Sequence, residues 1–143
     1  MIIQKKNILK LLELSKNHIG SLITTDFLTV SSNEIVREVI DKIKKETIDF
    51  STLDYIYVVN KKSELVGVFS LFDMLVQDLN TPVYKFMTQN VIVVHLTTPE
   101  EIVIKKMFKY KLYALPVIDD NKKILGIITL DDLSEKIIKK LNL

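Results

Sequence analysis

The sequence has no cysteine, which excludes a disulfide framework, a thiolate zinc site and a cysteine nucleophile together. Three glycines among 143 residues leave no glycine-rich loop to cradle a phosphate chain. Arg37 is the one arginine, and it adjoins no candidate site. His18 and His95 lie far apart and fit no metal-ligand spacing. Long apolar runs are missing too: none approaches the roughly 20 residues needed to span a bilayer. The longest, such as residues 91–94 and 124–128, have strand length. Gln4, Lys5, Lys6, Asn7 and Lys10 interrupt the apolar N-terminus, so no signal-peptide core forms. An excess of one charge is also absent, since 20 basic and 18 acidic residues leave +2. A nucleic-acid or membrane-surface role therefore has little electrostatic support, and the short apolar runs give no expectation of direct membrane insertion. The lysine pairs at 5–6, 44–45, 105–106 and 139–140 read as solvated helix faces.

What is present is a core-forming composition, 48% apolar and 27% charged, which excludes the disordered class. It is arranged as an internal repeat. Residues 55–60, a polar turn and residues 65–73 match residues 114–119, a polar turn and residues 124–132. Gly67 and Gly126 are 59 apart (126 − 67), as are Ser70 and Thr129, and Asp73 and Asp132. Upstream, residues 22–30 match 86–94 at an offset of 64, so the first repeat carries about five extra residues near 47–53.

Each repeat reads in one order. A short strand (28–30; 92–94) precedes an amphipathic helix, with Val36, Val39, Ile40 and Ile43 on one face in the first repeat and Val103, Met107 and Tyr110 in the second. Pro99, Glu100 and Glu101 suit a first helical turn. Two strands and a closing helix (71–79; 130–141) follow. Ile8, Leu11 and Leu12 mark a further helix before them. The expectation is a mixed α/β fold of two β-α-β-β-α repeats in a pseudo-twofold arrangement, with matching clefts between them. Residues 1–18 form the N-terminal helix (the end of an N-domain or a linker), 19–80 repeat one and 81–143 repeat two.

The candidate chemistry sits where a strand turns into a helix, at Ser70-x-x-Asp73 and Thr129-x-x-Asp132. A hydroxyl there stands beside the unpaired N–H groups of the helix and can join them in holding a phosphate. An aspartate three residues on can accept hydrogen bonds from ribose hydroxyls. The same pattern is also a helix N-cap signature, and either copy alone reads better as a cap. No nucleophile–base arrangement stands out. Met74, Met87 and Met107 read as core filler.

Apolar–Pro116–Val117–apolar–Asp119, a polar turn and Leu125-Gly126-Ile-Ile-Thr129-x-x-Asp132 resemble the cystathionine-β-synthase (CBS) domain, and the tandem pair resembles a Bateman module. The resemblance covers residues 20–141. Residues 11–27, 46–48 and 54–60 further resemble the cytosolic region of MgtE-type magnesium transporters.

What the resemblance implies is regulation and no enzymatic reaction: a cytoplasmic, homodimeric CBS pair that gates a membrane pore domain in response to Mg²⁺ or an adenine nucleotide (ATP, ADP or AMP). A stand-alone adenosine-ligand sensor acting on a separate partner, and a dimerisation element with empty clefts, are the alternatives. By position, Asp73 takes the ribose with Tyr55 and Leu112 flanking the adenine, beside Ser70. Thr129 and Asp132 mark the second cleft. Phe72 replaces a basic residue common at this corner. Asp131 and Asp132 are the metal candidates, with Asp119, Asp120 and Glu135 nearby. Lys109, Lys111, Lys136, Lys139 and Lys140 stand at family acidic positions and repel Mg²⁺.

Overall fold

The computed structural model describes residues 19–46 and 53–142. The N-terminal helix expected over residues 2–14, His18 and most of the extra residues of repeat one lie outside these. The chain divides into two compact units, and both are discontinuous in sequence. Of the described residues, the repeat-one unit holds those within 26–91 with 121–123, and the repeat-two unit holds 19–25 with 92–120 and 124–142.

In the repeat-one unit, β1 (Thr29–Ser31) is followed by α1 (Val36–Lys45), β2 (Tyr55–Val59), β3 (Leu65–Ser70) and α2 (Leu71–Leu75). β1 runs parallel to β2, and β2 antiparallel to β3 with Tyr55 opposite Ser70. Val36 and Val39 bury the face of α1 that the periodicity indicates, with Ile40 and Ile43 packed alongside. Leu28, Val30, Ile56, Val58, Phe69 and Met74 complete that core.

α2 stops at Leu75, four residues short of the expected helix. The chain beyond it serves α1, whose first N–H groups need acceptors: Val36 N–H donates to Thr81 O at 3.0 Å and Arg37 N–H to Leu79 O at 2.9 Å. A helix running to Leu79 would draw that carbonyl away.

In the repeat-two unit, α3 (Glu100–Tyr110), β4 (Ala114–Ile118), β5 (Ile124–Thr129) and α4 (Leu130–Lys140) follow. β4 and β5 are buried at every position and pair antiparallel. The strand expected at residues 92–94 reduces to one parallel bridge, Val94 to Val117. Pro116 accounts for this. Its counterpart Tyr57 donates its N–H to Leu28 O at 3.1 Å, and proline has no N–H to offer residue 92 in the same way. Tyr110 is 44% exposed and leaves the expected apolar stripe. The left-handed Lys111 ends α3 and turns the chain, so Leu112 packs on the core instead.

A leading segment completes each unit. Ile19 and Val83, 64 positions apart, are both fully buried at the start of short 3-10 turns. Beyond these turns Thr24 exchanges two backbone bonds with Ile127, both 2.9 Å, and Thr88 exchanges two with Val68, 2.7 and 3.0 Å. The leading segments run so close to the outer strands that any side chain opposite them would meet them at once. A Cβ on Gly67 would lie 2.6 Å from Met87 Sδ, and one on Gly126 would strike Ile23 Cγ2 and approach Thr24 O to 2.8 Å.

Candidate functional site

The two strand-to-helix corners share one backbone plan. Ser70 and Thr129 are N-caps in extended conformation, Ser70 Oγ accepting from Asp73 N–H at 3.0 Å and Thr129 Oγ1 from Asp132 N–H at 3.2 Å. The first helical N–H donates back across the sheet end, Leu71 to Asp54 O at 3.1 Å and Leu130 to Tyr113 O at 2.7 Å. The first and third N–H groups of each helix are thus engaged within the protein. The cap reading of these motifs holds at both corners.

The carboxylates differ. Asp73 Oδ2 accepts from Ser70 N–H at 3.3 Å, closing a reciprocal capping box on an exposed turn. Asp132 is half-buried and lines a cavity of about 350 Å³ with Ser21, Leu22, Ile23, Glu135, Lys136 and Lys139. The helices differ too. α2 has five residues and α4 has eleven, so the field of aligned peptide dipoles is better developed at the second corner.

The structure brings Tyr55, Ser70 and Asp73 together in the repeat-one unit, where half-buried Tyr55 faces Ser70 across the β2–β3 pair. In the repeat-two unit Leu112 is half-buried on the core two residues before Ala114, which pairs with Thr129. Asp131 is exposed beside Asp132. Among the described residues no group of three or more histidine, aspartate and glutamate side chains could hold a metal ion. Two neighbouring carboxylates fit only an Mg²⁺ that keeps most of its waters.

Several lysines do more than solvate a helix. Lys42 Nζ donates to Thr29 O at 3.1 Å and Lys106 Nζ to Val93 O at 2.9 Å, the same tie in each repeat. Lys136 Nζ bonds Glu100 Oε2 at 2.6 Å, and Lys139 Nζ stands 3.6 Å from Glu135 Oε1. For Lys139 the i,i+4 spacing from Glu135 on α4 was the available signal; Lys136 reaches Glu100 on α3, 36 positions away, which no local spacing marks. Burial, with lesser contributions from Tyr55 and Asp54, pushes the Tyr57 hydroxyl far above the ordinary tyrosine range. That hydroxyl has no hydrogen-bond partner among the described residues.

Comparison with known proteins adds the family context. The CBS domain model matches residues 19–80 and 83–139. The magnesium transporter MgtE of Thermus thermophilus is 37% identical over 114 residues, 80% of this chain and 25% of that protein. MgtE of Enterococcus faecalis is 35% identical over 118 residues, 82% of this chain and 26% of that protein. The crystal structure of the cytosolic domain of the Mg²⁺ channel MgtE in complex with ATP superposes with a TM-score of 0.85 at 32% identity, covering 92% of this chain and 53% of that one. The chain spans about a quarter of the length of these curated relatives. No helix among the described residues is long and apolar enough to cross a membrane.

Proposed function

The chain belongs to the CBS domain family as a tandem pair, and from that premise we propose that it is the regulatory module of a magnesium-transporter-like protein. It binds an adenine nucleotide, responds to Mg²⁺, and passes the bound state to a membrane pore domain without catalysing a reaction. Its place is the cytoplasm, at the cytosolic face of the membrane that holds the pore.

The observation that carries this reading is the second corner. There a half-buried aspartate at the head of an eleven-residue helix lines a cavity of about 350 Å³, within the ~300–1,000 Å³ range of small-molecule sites. Asp132 accepts the ribose hydroxyls there, beside Thr129. Tyr55, Ser70 and Asp73 form the weaker counterpart, because Asp73 must leave its capping box to accept a ligand. Asp131 and Asp132 offer Mg²⁺ one or two carboxylates, the rest of its shell remaining water.

The module acts as a homodimer. Phe72 and Leu75 on α2 and Val76 just after it are 64–72% exposed, and Phe108 on α3 is 69% exposed. Apolar surface of this kind gains by association. Light scattering should give twice the chain mass, and Phe72→Asp or Phe108→Asp should return it to one.

Melting of metal-free protein against Mg²⁺, ATP, ADP and AMP tests the whole reading. A ligand at 100 times its Kd adds about 2.7 kcal/mol, a shift of several degrees. A nucleotide shift lost in Asp132→Ala supports the proposal, and indifference to every ligand together with a monomeric mass defeats it. A stand-alone nucleotide sensor acting on a separate partner is favoured instead by the ion pairs on α4, where Lys136 and Lys139 occupy Glu100 and Glu135. A nucleotide shift with no response to Mg²⁺ would select it.

A further inference from the structure

We infer that the corner where α3 turns into β4, Lys109-Tyr110-Lys111-Leu112-Tyr113, together with Lys105, is a docking surface for an anionic lipid bilayer. The inference needs no ligand at either strand-to-helix corner and rests on the proposed function only for placing a membrane beside the chain.

Lys105 and Lys109 stand at i and i+4 on one face of α3. Lys111 ends the helix in left-handed conformation with φ 55°. Its N–H donates to Met107 O, as does that of Leu112 at 2.9 Å. Leu112 packs on the core and so fixes the corner from within. The other four side chains are all exposed, Tyr113 to 61%. Lys109 Nζ lies 5.2 Å from the centre of the Tyr110 ring.

Among the described residues no ion pair engages Lys105, Lys109 or Lys111, whereas Lys136 and Lys139 are committed to Glu100 and Glu135 and Lys106 to Val93 O. Glu100 and Glu101 lie at the other end of α3, about 12 Å or more along the axis from Lys109. A nearly neutral chain thus concentrates three positive charges at one corner, which the overall balance conceals.

A helix C-terminus favours lysines through its dipole, but the dipole does not call for exposed tyrosine rings between them. Lysine interleaved with tyrosine is the composition of a headgroup interface, where ammonium groups meet lipid phosphates and the rings lie at headgroup level. A rounded corner suits a plane of lipid phosphates better than an extended acidic peptide, which binds in a groove or along a strand edge. The feature belongs to repeat two alone. Lys109-Tyr110 reads Lys45-Glu46 at 64 positions earlier, and Tyr113 reads Asp54 at 59.

Each lysine near an anionic surface raises partitioning about fivefold, so three give about a hundredfold. Co-sedimentation of the full chain with vesicles, in EDTA and without nucleotide, tests this. Phosphatidylcholine vesicles with about a third phosphatidylglycerol should bind about a hundredfold more tightly than phosphatidylcholine alone, and raising salt from about 0.05 M to about 0.5 M should abolish the difference. Lys109→Gln with Lys111→Gln should lower binding about 25-fold, two factors of five. Tyr113→Ser should lower it without changing the salt dependence. Lys61→Gln with Lys62→Gln, exposed on the turn between β2 and β3, removes the same charge and should leave binding unchanged. No preference for the anionic vesicles overturns the inference. So does an equal loss in both lysine pairs, which would make the effect one of net charge. Tighter binding of polyglutamate than of vesicles also overturns it and assigns the corner to an acidic protein. Absence of vesicle binding while a nucleotide still shifts the melting sinks this inference and leaves the proposed function standing.

Discussion

Gly67 and Gly126 occupy the same place in the two repeats, yet alanine should be tolerated at one and not at the other. At Gly67 a new Cβ meets Met87, with Sδ at 2.6 Å, Cγ at 3.1 Å and Cβ at 3.3 Å. Methionine is unbranched and half-buried here, so it can swing aside. An off-rotamer adjustment costs about 0.5–1.5 kcal/mol. Loss of chain entropy in the unfolded state returns about 0.4–1 kcal/mol, neither glycine having positive φ. The net change should stay within about 1 kcal/mol of zero.

At Gly126 the obstacles are Ile23 Cγ2, on a side chain stiff at χ1, and the Thr24 carbonyl at 2.8 Å. That carbonyl accepts from Ile127 N–H at 2.9 Å, so moving it loosens the pairing that holds the leading segment. Overpacking of about 1–3 kcal/mol and about 1 kcal/mol for a weakened hydrogen bond, less the entropy gain, give roughly 2–3 kcal/mol. Calorimetric melting should show Gly126→Ala lower by about 4–12 °C and Gly67→Ala shifted by less, within about 2–4 °C of the parent, at 2–4 °C per kcal/mol for a chain near this size. In a double-mutant cycle, Ile23→Ala should recover at least about 1 kcal/mol of the Gly126→Ala loss. Equal losses at the two glycines, or no coupling to Ile23, would refute the steric argument.

Other outcomes follow from single side chains. Tyr57→Phe removes a buried hydroxyl with no partner while keeping the ring edge-on to Phe27 at 6.2 Å; urea unfolding should show a change from zero to about 2 kcal/mol of added stability. The raised Tyr57 pKa means that above the ordinary tyrosine pKa of about 10 the native state binds more protons than the unfolded one. Its contribution is therefore complete below pH 10 and lost as pH climbs beyond it, so alkaline unfolding should be shallower in Tyr57→Phe. Lys106→Met gives up a charged donor to Val93 O at 2.9 Å; after discount for partial exposure the loss should be about 1 kcal/mol in urea titration. Asp132→Asn should weaken nucleotide binding more than Asp73→Asn in calorimetry, since only Asp73 is committed to a capping box.

The mixed α/β repeat was legible because two offsets carry it: 59 links the glycines, caps and aspartates, and 64 links the leading segments and first helices. The buried faces of α1 and the cap hydroxyls followed from spacing alone. The failures share a cause. Pro116 weakens a strand through the neighbour it cannot bond, and α2 stops where carbonyls are needed by α1. Neither partner is adjacent in sequence. The two corners read alike as Ser/Thr-x-x-Asp, and what separates them is the packing of residues 21–23 beside α4, more than a hundred positions away. Lys106 reads in the sequence as one of a solvated pair and Lys42 is not marked at all, because their acceptors are backbone carbonyls, which carry no signature in a sequence.

The pairings of the leading segments also set an order of assembly. Val68 and Thr88 are 20 positions apart, whereas Thr24 and Ile127 are 103 apart. Closing the longer loop costs roughly 1.5 kcal/mol more in chain entropy, and synthesis at about 5–20 residues per second imposes a wait of about 5–20 s before β5 exists. The repeat-one unit can add its leading segment almost as soon as its strands emerge. Ile19 and Ile23 must remain in solvent until the second repeat arrives, so the first piece of the repeat-two unit to leave the ribosome is among the last to be built into it.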